Sequence, residues 1–276
     1  MTNPFLRVSS CCVTAVLILC SAALPVSATQ ILHIGGTGSA TVLMERLGAA
    51  FAASDPEVEV EVIPGLGSSG AIAAASDGAI ELAVSGRPLK PAETGLIEVV
   101  AVRTPYGLVS SNPNPGDITS AGVASFYASP SANWPDGSPV RVILRPKSES
   151  DTELLGQTFP GMADAIDQVR TRIDVPLAAT DQDNLQMAKA VGGSLVGTSL
   201  AQMVTEQHQS QLHFLSIDGV EPTLENLESG KYPYFKPFRF VYPDKPAPLV
   251  LRFLEFVASR EGEKLLREAG CLQAAL

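Results

Sequence analysis

The chain has 276 residues, 45% hydrophobic and 17% charged, with a formal net charge of −10. That length suits one large domain or two of ordinary size, and the composition is that of a globular protein. A chain this acidic is a poor partner for nucleic acid, whose binding is dominated by neutralisation of phosphates.

Residues 1–28, MTNPFLRVSSCCVTAVLILCSAALPVSA, have the parts of a secretory signal. Arg7 gives a basic start, an apolar run covers 11–24, and Val26-Ser27-Ala28 offers small residues for cleavage near Ala28, ahead of Thr29. The apolar run is short of the roughly 20 residues a spanning helix needs. The expected location is the periplasm or the exterior. Cys11, Cys12 and Cys20 fall in this segment, so the exported chain keeps Cys271 alone. One cysteine forms no internal disulfide and no zinc cluster.

Residues 31–34 read as a buried strand, followed by the turn GGTGSA at 35–40. Val42, Leu43, Leu47, Ala50 and Phe51 then recur at helical spacing, and Asp55-Pro56 ends the helix. Val58, Val60 and Val62 alternate with glutamates, the pattern of a strand with one buried face. GLGSSGA at 65–71 leads to a helix from about residue 72. Residues 80–84 form a third strand, ending at Ser85-Gly86-Arg87-Pro88. Strand, small polar turn and helix thus occur twice, and a third strand ends in a similar turn. The pattern predicts an α/β fold whose sheet is mostly parallel, with helices on both faces and ligands outside the carboxyl ends of the strands.

Further strands are expected at 97–102, 106–109, 139–144, 196–197 and 212–217, with a loop at 112–117. Helices are expected at 148–155 (capped by Ser or Asp), 163–169, 185–191 and 249–269, the last interrupted near Ser259-Arg260. No fixed-period repeat is evident.

Amides at a helix start are unsatisfied donors, glycine lets them approach a ligand, and hydroxyls add further donors. A single such turn is ordinary turn and cap chemistry. Several together, with Arg87 and Arg145 following strands, point to an anion site. Ser148, Ser150 and Thr152 add hydroxyls beside Arg145. Enzyme chemistry finds less footing. GLGSSGA is not G-x-S-x-G, and Gly-Lys-Ser/Thr is absent. His33 reads as a core or edge residue, and His208 and His213 as solvent-facing, with no carboxylate recognisably placed to orient either. Asp181 and Asp183 could coordinate a cation, but acidic residues before a helix usually cap it. No metal and no cofactor are expected.

GTGSAT, then GSSG about 28 positions later, then VSGRPL, resemble in their order the periplasmic phosphate-binding proteins of ABC transporters. Arg145 with Ser150-Asp151-Thr152 is similar to that family's Arg…Ser-Gly-Thr. DGVEPTLENLESGKYPYFKPFRFVY at 218–242 and FLEFVASREGEKLLREAGCL at 253–272 resemble its later segments. The resemblance implies a two-lobed type 2 periplasmic-binding-protein fold, each lobe a mostly parallel sheet flanked by helices, with a two-strand hinge. Lobe 1 would be residues 29–105 plus 216–276 and lobe 2 residues 106–215, with crossings near 104–110 and 213–220. It implies an oxyanion held by Thr37, Gly38 and Ser39, by Ser68, Ser69 and Gly70, and by Arg145, Ser150 and Thr152, with Arg87 close by. The implied protein is a monomer that delivers phosphate or a related oxyanion to an ABC permease and is not an enzyme. A periplasmic sensor of the same fold is the alternative, and a phosphoryl-transfer enzyme is a third reading.

Three departures from the family pattern stand out. Gly86 and Arg87 stand where phosphate-selective members carry an acceptor aspartate. Asp151 replaces the glycine of Ser-Gly-Thr, and the spacing from Arg145 to Ser150 is one residue longer. A site of donors alone favours a fully ionised oxyanion such as sulfate or molybdate. Asp151 would either supply the acceptor or repel the anion.

Overall fold

The computed structural model describes residues 29–274, and the expected signal lies outside the described residues. The chain opens with three parallel strands, β1 (Gln30–Gly36), β2 (Val58–Ile63) and β3 (Leu82–Ser85), with β1 in the middle. A 3-10 turn (Gly38–Ala40) and α1 (Thr41–Ser54) join β1 to β2, and α2 (Gly67–Ser76) joins β2 to β3. The valines of β2 pack on the core while Glu59 and Glu61 face solvent, as the alternation predicts. α2 begins five residues earlier than expected. Gly65 and Gly67 take positive φ (80° and 65°), which turns the chain so that GSSG becomes the helix's first turn.

β4 (Leu96–Ser110) is one strand of 15 residues, where two were expected. Pro105 suggests a break, because proline gives no ladder hydrogen bond. The structure places it where pairing passes from one partner to another. β10 (Phe235–Pro243) pairs with β4 as far as Pro105, and β7 (Ser194–Ser199) pairs with it from Tyr106 onward.

Between β4 and β10 the chain forms β5 (Asp117–Ile118), α3 (Val123–Ala128), β6 (Arg141–Val142), α4 (Ser150–Thr158), α5 (Met162–Arg170), α6 (Asp181–Ala190), β7, α7 (Leu200–Thr205), β8 (His213–Phe214), β9 (Ser216–Ile217) and α8 (Leu224–Glu228). After β10 come α9 (Pro248–Ala258), α10 (Arg260–Glu268) and β11 (Leu272–Gln273). The sheet order is β2-β1-β3-β10-β4-β7-β6. Its flanks are parallel, and β4 and β10 cross its middle antiparallel to their neighbours.

Several details differ from expectation. The strand expected at 139–144 is two residues long, and that expected at 212–217 splits because β8 pairs with β4 while β9 pairs with β5. α3, α7 and β10 were not foreseen. α4 has Glu149 at its N-cap with no side-chain cap, so neither Ser nor Asp caps it. The break near Ser259 is present, and Ser259 Oγ caps α10 by accepting from the Gly262 amide.

Alternation along the central strands divides the core. In the first half, Leu82, Val84, Phe238 and Phe240 pack with α1 and α9, while Ala83 and Val241 pack with α2. In the second half, Tyr106, Leu108 and Leu195 pack with α4 and α5, and Val109 and Val196 with α6. Leu215, Ile217, Val220, Tyr232 and Tyr234 belong to this second core. β8 and β9 pair with β4 and β5, and pairing with β3 and β4 resumes at Phe235, where β10 begins.

Candidate functional site

The ends of β1, β2 and β3 meet the starts of α4 and α6 at the centre of the molecule. On the first side lie Thr37, Ser39, Ser68 and the turn Ser85-Gly86, all buried. Neither Thr37, at the start of the 3-10 turn, nor Leu66, at the start of α2, caps its own helix with a side-chain hydrogen bond. Ser68 Oγ accepts from the Gly86 amide at 3.0 Å and lies 3.2 Å from Ser150 Oγ of α4. Thr37 Oγ1 and Ser39 Oγ are 3.2 Å apart.

On the second side lie Arg145, Glu149, Asp151 and Asp181. Arg145 Nη1 donates to the Ala178 carbonyl at 3.0 Å. Its Nη2 lies 3.2 Å from Glu149 Oε2 and 3.3 Å from Asp181 Oδ1. Asp181 Oδ2 accepts the Ser39 amide at 3.0 Å and lies 3.5 Å from Thr37 Oγ1. Its own helix does not need it as a cap, because Thr180 and Asp183 complete a capping box there. The expectation that acidic residues here cap the helix therefore holds for Asp183 and fails for Asp181.

Lys236, the second residue of β10, is fully buried. Its ammonium donates to Ser39 Oγ at 2.6 Å and to Asp151 Oδ1. A β-carbon on Gly86 would lie 3.0 Å from Ser150 Oγ and 3.3 Å from Lys236 Cε. Glycine at 86 thus lets α4 and the lysine approach, and the cation beside this turn is Lys236. Arg87 is committed elsewhere. Its guanidinium pairs with Glu93 through both nitrogens and donates to Ser69 Oγ at 3.1 and 3.2 Å. Ser69 and Gly70 are exposed. The Thr152 hydroxyl donates to the Pro146 carbonyl at 2.9 Å, closing its own loop.

Of the ten residues expected at the site, Thr37, Gly38, Ser39, Ser68, Arg145 and Ser150 come together. Ser69, Gly70, Arg87 and Thr152 make their contacts outside that cluster. Lys236 and Asp181 were missed as site residues. A lysine inside the apolar strand FKPFRFVY is the signal that could have found the first. Nothing local distinguishes Asp181 from a capping aspartate.

Glu149, Asp151 and Asp181 therefore bring three carboxylates to this side, where the sequence pointed to Asp151. Burial pushes the Asp151 carboxyl up from its ordinary value; the Asp181 charge adds to this, while Lys236 and Arg145 pull it back. Burial likewise raises Glu149, against the pull of Arg145. His208 also departs from expectation, being buried with Nε2 3.1 Å from Glu206 Oε2. Gln207, at φ 59°, turns the chain back so that the His208 amide donates to the Met203 carbonyl. Glu206 also accepts from Gln182, whose amide reaches the Gly38 carbonyl. Among the described residues no cluster of three or more His, Cys, Asp or Glu could hold a metal ion.

The fold is shared with several solved proteins. A Clostridium perfringens protein described, with phosphate bound, as a phosphate ABC transporter substrate-binding protein superposes with a TM-score of 0.76 at 22% identity, over 89% of this chain and 100% of that one. An ABC-type phosphate transport receptor from Vibrio cholerae gives 0.63 at 17% identity, over 88% and 100%. The CcmR regulatory domain from Synechocystis, in complex with 2-PG, gives 0.53 at 16% identity, over 82% and 95%. No curated protein sequence matches the chain. Residues 24–261 match the model of the PBP superfamily domain. With the mixed sheet, its two crossing strands and this coverage, the chain belongs to the PBP superfamily.

Proposed function

We propose that the protein is an exported solute-binding protein that captures phosphate or a related tetrahedral oxyanion between two lobes and presents it to an ABC permease. The lobes we assign are residues 29–105 with 235–274, and residues 106–234, hinged where β4 and β10 cross. The observation that carries this reading is that donors from both halves meet: Ser68 Oγ lies 3.2 Å from Ser150 Oγ, and buried Ser39 and Arg145 both reach Asp181. The start of α2, which its N-cap side chain leaves unbonded, adds amides that favour negative charge, and a water-poor cleft strengthens each bond. Such local donors offset the protein's overall negative charge. The two phosphate-transport proteins of the same fold supply the permease partnership by analogy, and residues 1–28 supply the export route.

The chemistry is binding rather than catalysis. A phosphate still carrying a proton offers one donor, which the Asp151 carboxylate can accept, whereas sulfate offers none. Titration calorimetry with phosphate, sulfate, molybdate and tungstate tests the reading. Heat with phosphate supports it, and no heat with any of the four removes it.

A further inference from the structure

Asp181 makes a set of contacts that resembles a bound anion more than a structural aspartate. One oxygen takes the Ser39 amide at 3.0 Å and faces the Thr37 hydroxyl at 3.5 Å; the other faces Arg145 at 3.3 Å. These are donors that an oxyanion in this site would use. The reach from Ser39 to Asp181 spans 142 positions of chain, and joins the first helix turn of one half to α6 of the other. The approach is close: a β-carbon on Gly38 would lie 2.8 Å from Asp181 Oδ2. α6 gains nothing evident from this, since Thr180 and Asp183 already satisfy its start.

A cavity of about 120 Å³ adjoins the contact, lined by Gly38, Gly67, Arg145, Glu149 and Asp181 among others. That exceeds the roughly 10–15 Å³ a single water needs by enough to admit a small oxyanion. Arg145 faces this space, and so do two carboxylates, which give its charged lining a net negative balance. An anion arriving here finds Arg145 already shared with Asp181 and the Ser39 amide already taken.

We propose that Asp181 is an internal ligand: its carboxylate occupies the oxyanion's donors, ties α6 to the first helix turn in the absence of solute, and must be displaced when an anion binds. The choice of competing ligand rests on the oxyanion reading given above, whereas the tie between the two halves does not. A site whose competent form is only part of the population binds more weakly by that fraction. Asp181 therefore lowers apparent anion affinity and sets a threshold concentration below which the two halves are held by the protein's own carboxylate.

Asp181→Asn tests this, since asparagine keeps the shape and the capping box keeps α6. Phosphate and sulfate are titrated into wild type and variant, and small-angle scattering is recorded on both without anion. The variant should bind at least tenfold more tightly, and without anion it should have a larger radius of gyration that phosphate returns to the wild-type value. Unchanged or weaker binding would mean that Asp181 serves the ligand or the fold and would overturn the proposal. If neither protein binds any anion, the oxyanion reading fails, and scattering decides the tie by itself. An expanded variant then upholds the tie and equal radii overturn it. Asp181→Ala repeats the scattering arm in case asparagine retains the Ser39 contact.

Discussion

Thr37, Ser39, Ser68 and Gly86 face the centre of the molecule with hydroxyls and amides, while Arg145, Glu149, Asp151 and Asp181 face it from the opposite side with ionised groups. The first set is held by strand ends and helix starts and has little freedom to move. The second consists of side chains that can exchange one partner for another. Lys236 breaks the division, since it rises from β10 beside the first set and pairs with Asp151 of the second. A cleft built this way has rigid donors on one wall and adjustable charge on the other. The adjustable wall is where specificity and control can be written without disturbing the fold.

The largest expected effect comes from breaking the link between the walls. Lys236→Met leaves Asp151 buried and unpaired, and loss of one partner of a buried ion pair costs about 3–5 kcal/mol. Denaturant unfolding should show that loss, and adding Asp151→Leu should recover much of it because both charges are then gone. A cost under about 1 kcal/mol, the range of an exposed pair, would show that the pair does not hold the walls together. Next is Arg145→Ala, which removes the main cation of the second wall. Anion affinity should fall more than tenfold, in keeping with about 2–5 kcal/mol for truncating a buried charged partner. Unchanged affinity in calorimetry would remove the second wall from the site.

The difference between the walls also explains what could be read from the chain. GTGSA, GSSG and the strands before them are local patterns, so the two donor turns were legible from periodicity and turn chemistry, while the family resemblance singled out Ser39 and Ser68 within them. β1, β2, α1 and the break at Ser259 were legible for the same reason. Asp181 and Lys236 owe their roles to contacts across 142 and 197 positions, and no local spacing encodes such contacts. Pro105 has no donor for a ladder, yet it lies inside β4 at the change of partner, so the two strands expected at 97–102 and 106–109 are one. The ordered resemblance along the chain supplied the two-lobed fold that local patterns could not. The pairing of β8 with β4 and of β9 with β5 joins distant positions and leaves no mark in either.

A smaller effect follows from the carboxyls of the second wall. Asp151 and Glu149 are both shifted upward by burial, so each takes up a proton at a higher pH than an exposed carboxyl does. Each proton deletes a negative charge facing the anion. Sulfate keeps its own charge in mildly acidic solution, so its affinity should rise as pH falls from neutrality through the raised values of these two carboxyls. The same shifts mean that the native state binds more protons than the unfolded chain. These two groups therefore favour folding most at low pH and lose that contribution as pH rises through their raised values. Tighter sulfate binding at low pH thus should not come with a stability loss from this pair. A flat or opposite profile would show that neither carboxyl faces the anion.

The smallest expected effect separates Arg87 from the site. Its guanidinium is held by Glu93 and Ser69, and the hydrogen bond with Arg87 holds the Glu93 carboxyl below its ordinary value. The turn does not depend on that side chain for its shape, because Ser85 Oγ donates to the Arg87 carbonyl at 2.7 Å and accepts the Arg87 amide at 3.1 Å. Gly86 then keeps its amide on Ser68 whatever residue follows it. Arg87→Ala should cost about 1 kcal/mol, the scale of a net hydrogen bond, and leave anion affinity within about twofold, well under the tenfold that 1.4 kcal/mol represents. Arg87→Ala with Glu93→Ala controls for the carboxylate left behind. A tenfold loss in both would mean that the third turn contributes its own cation to the anion, and the contrast between a rigid neutral wall and a charged adjustable one would no longer hold.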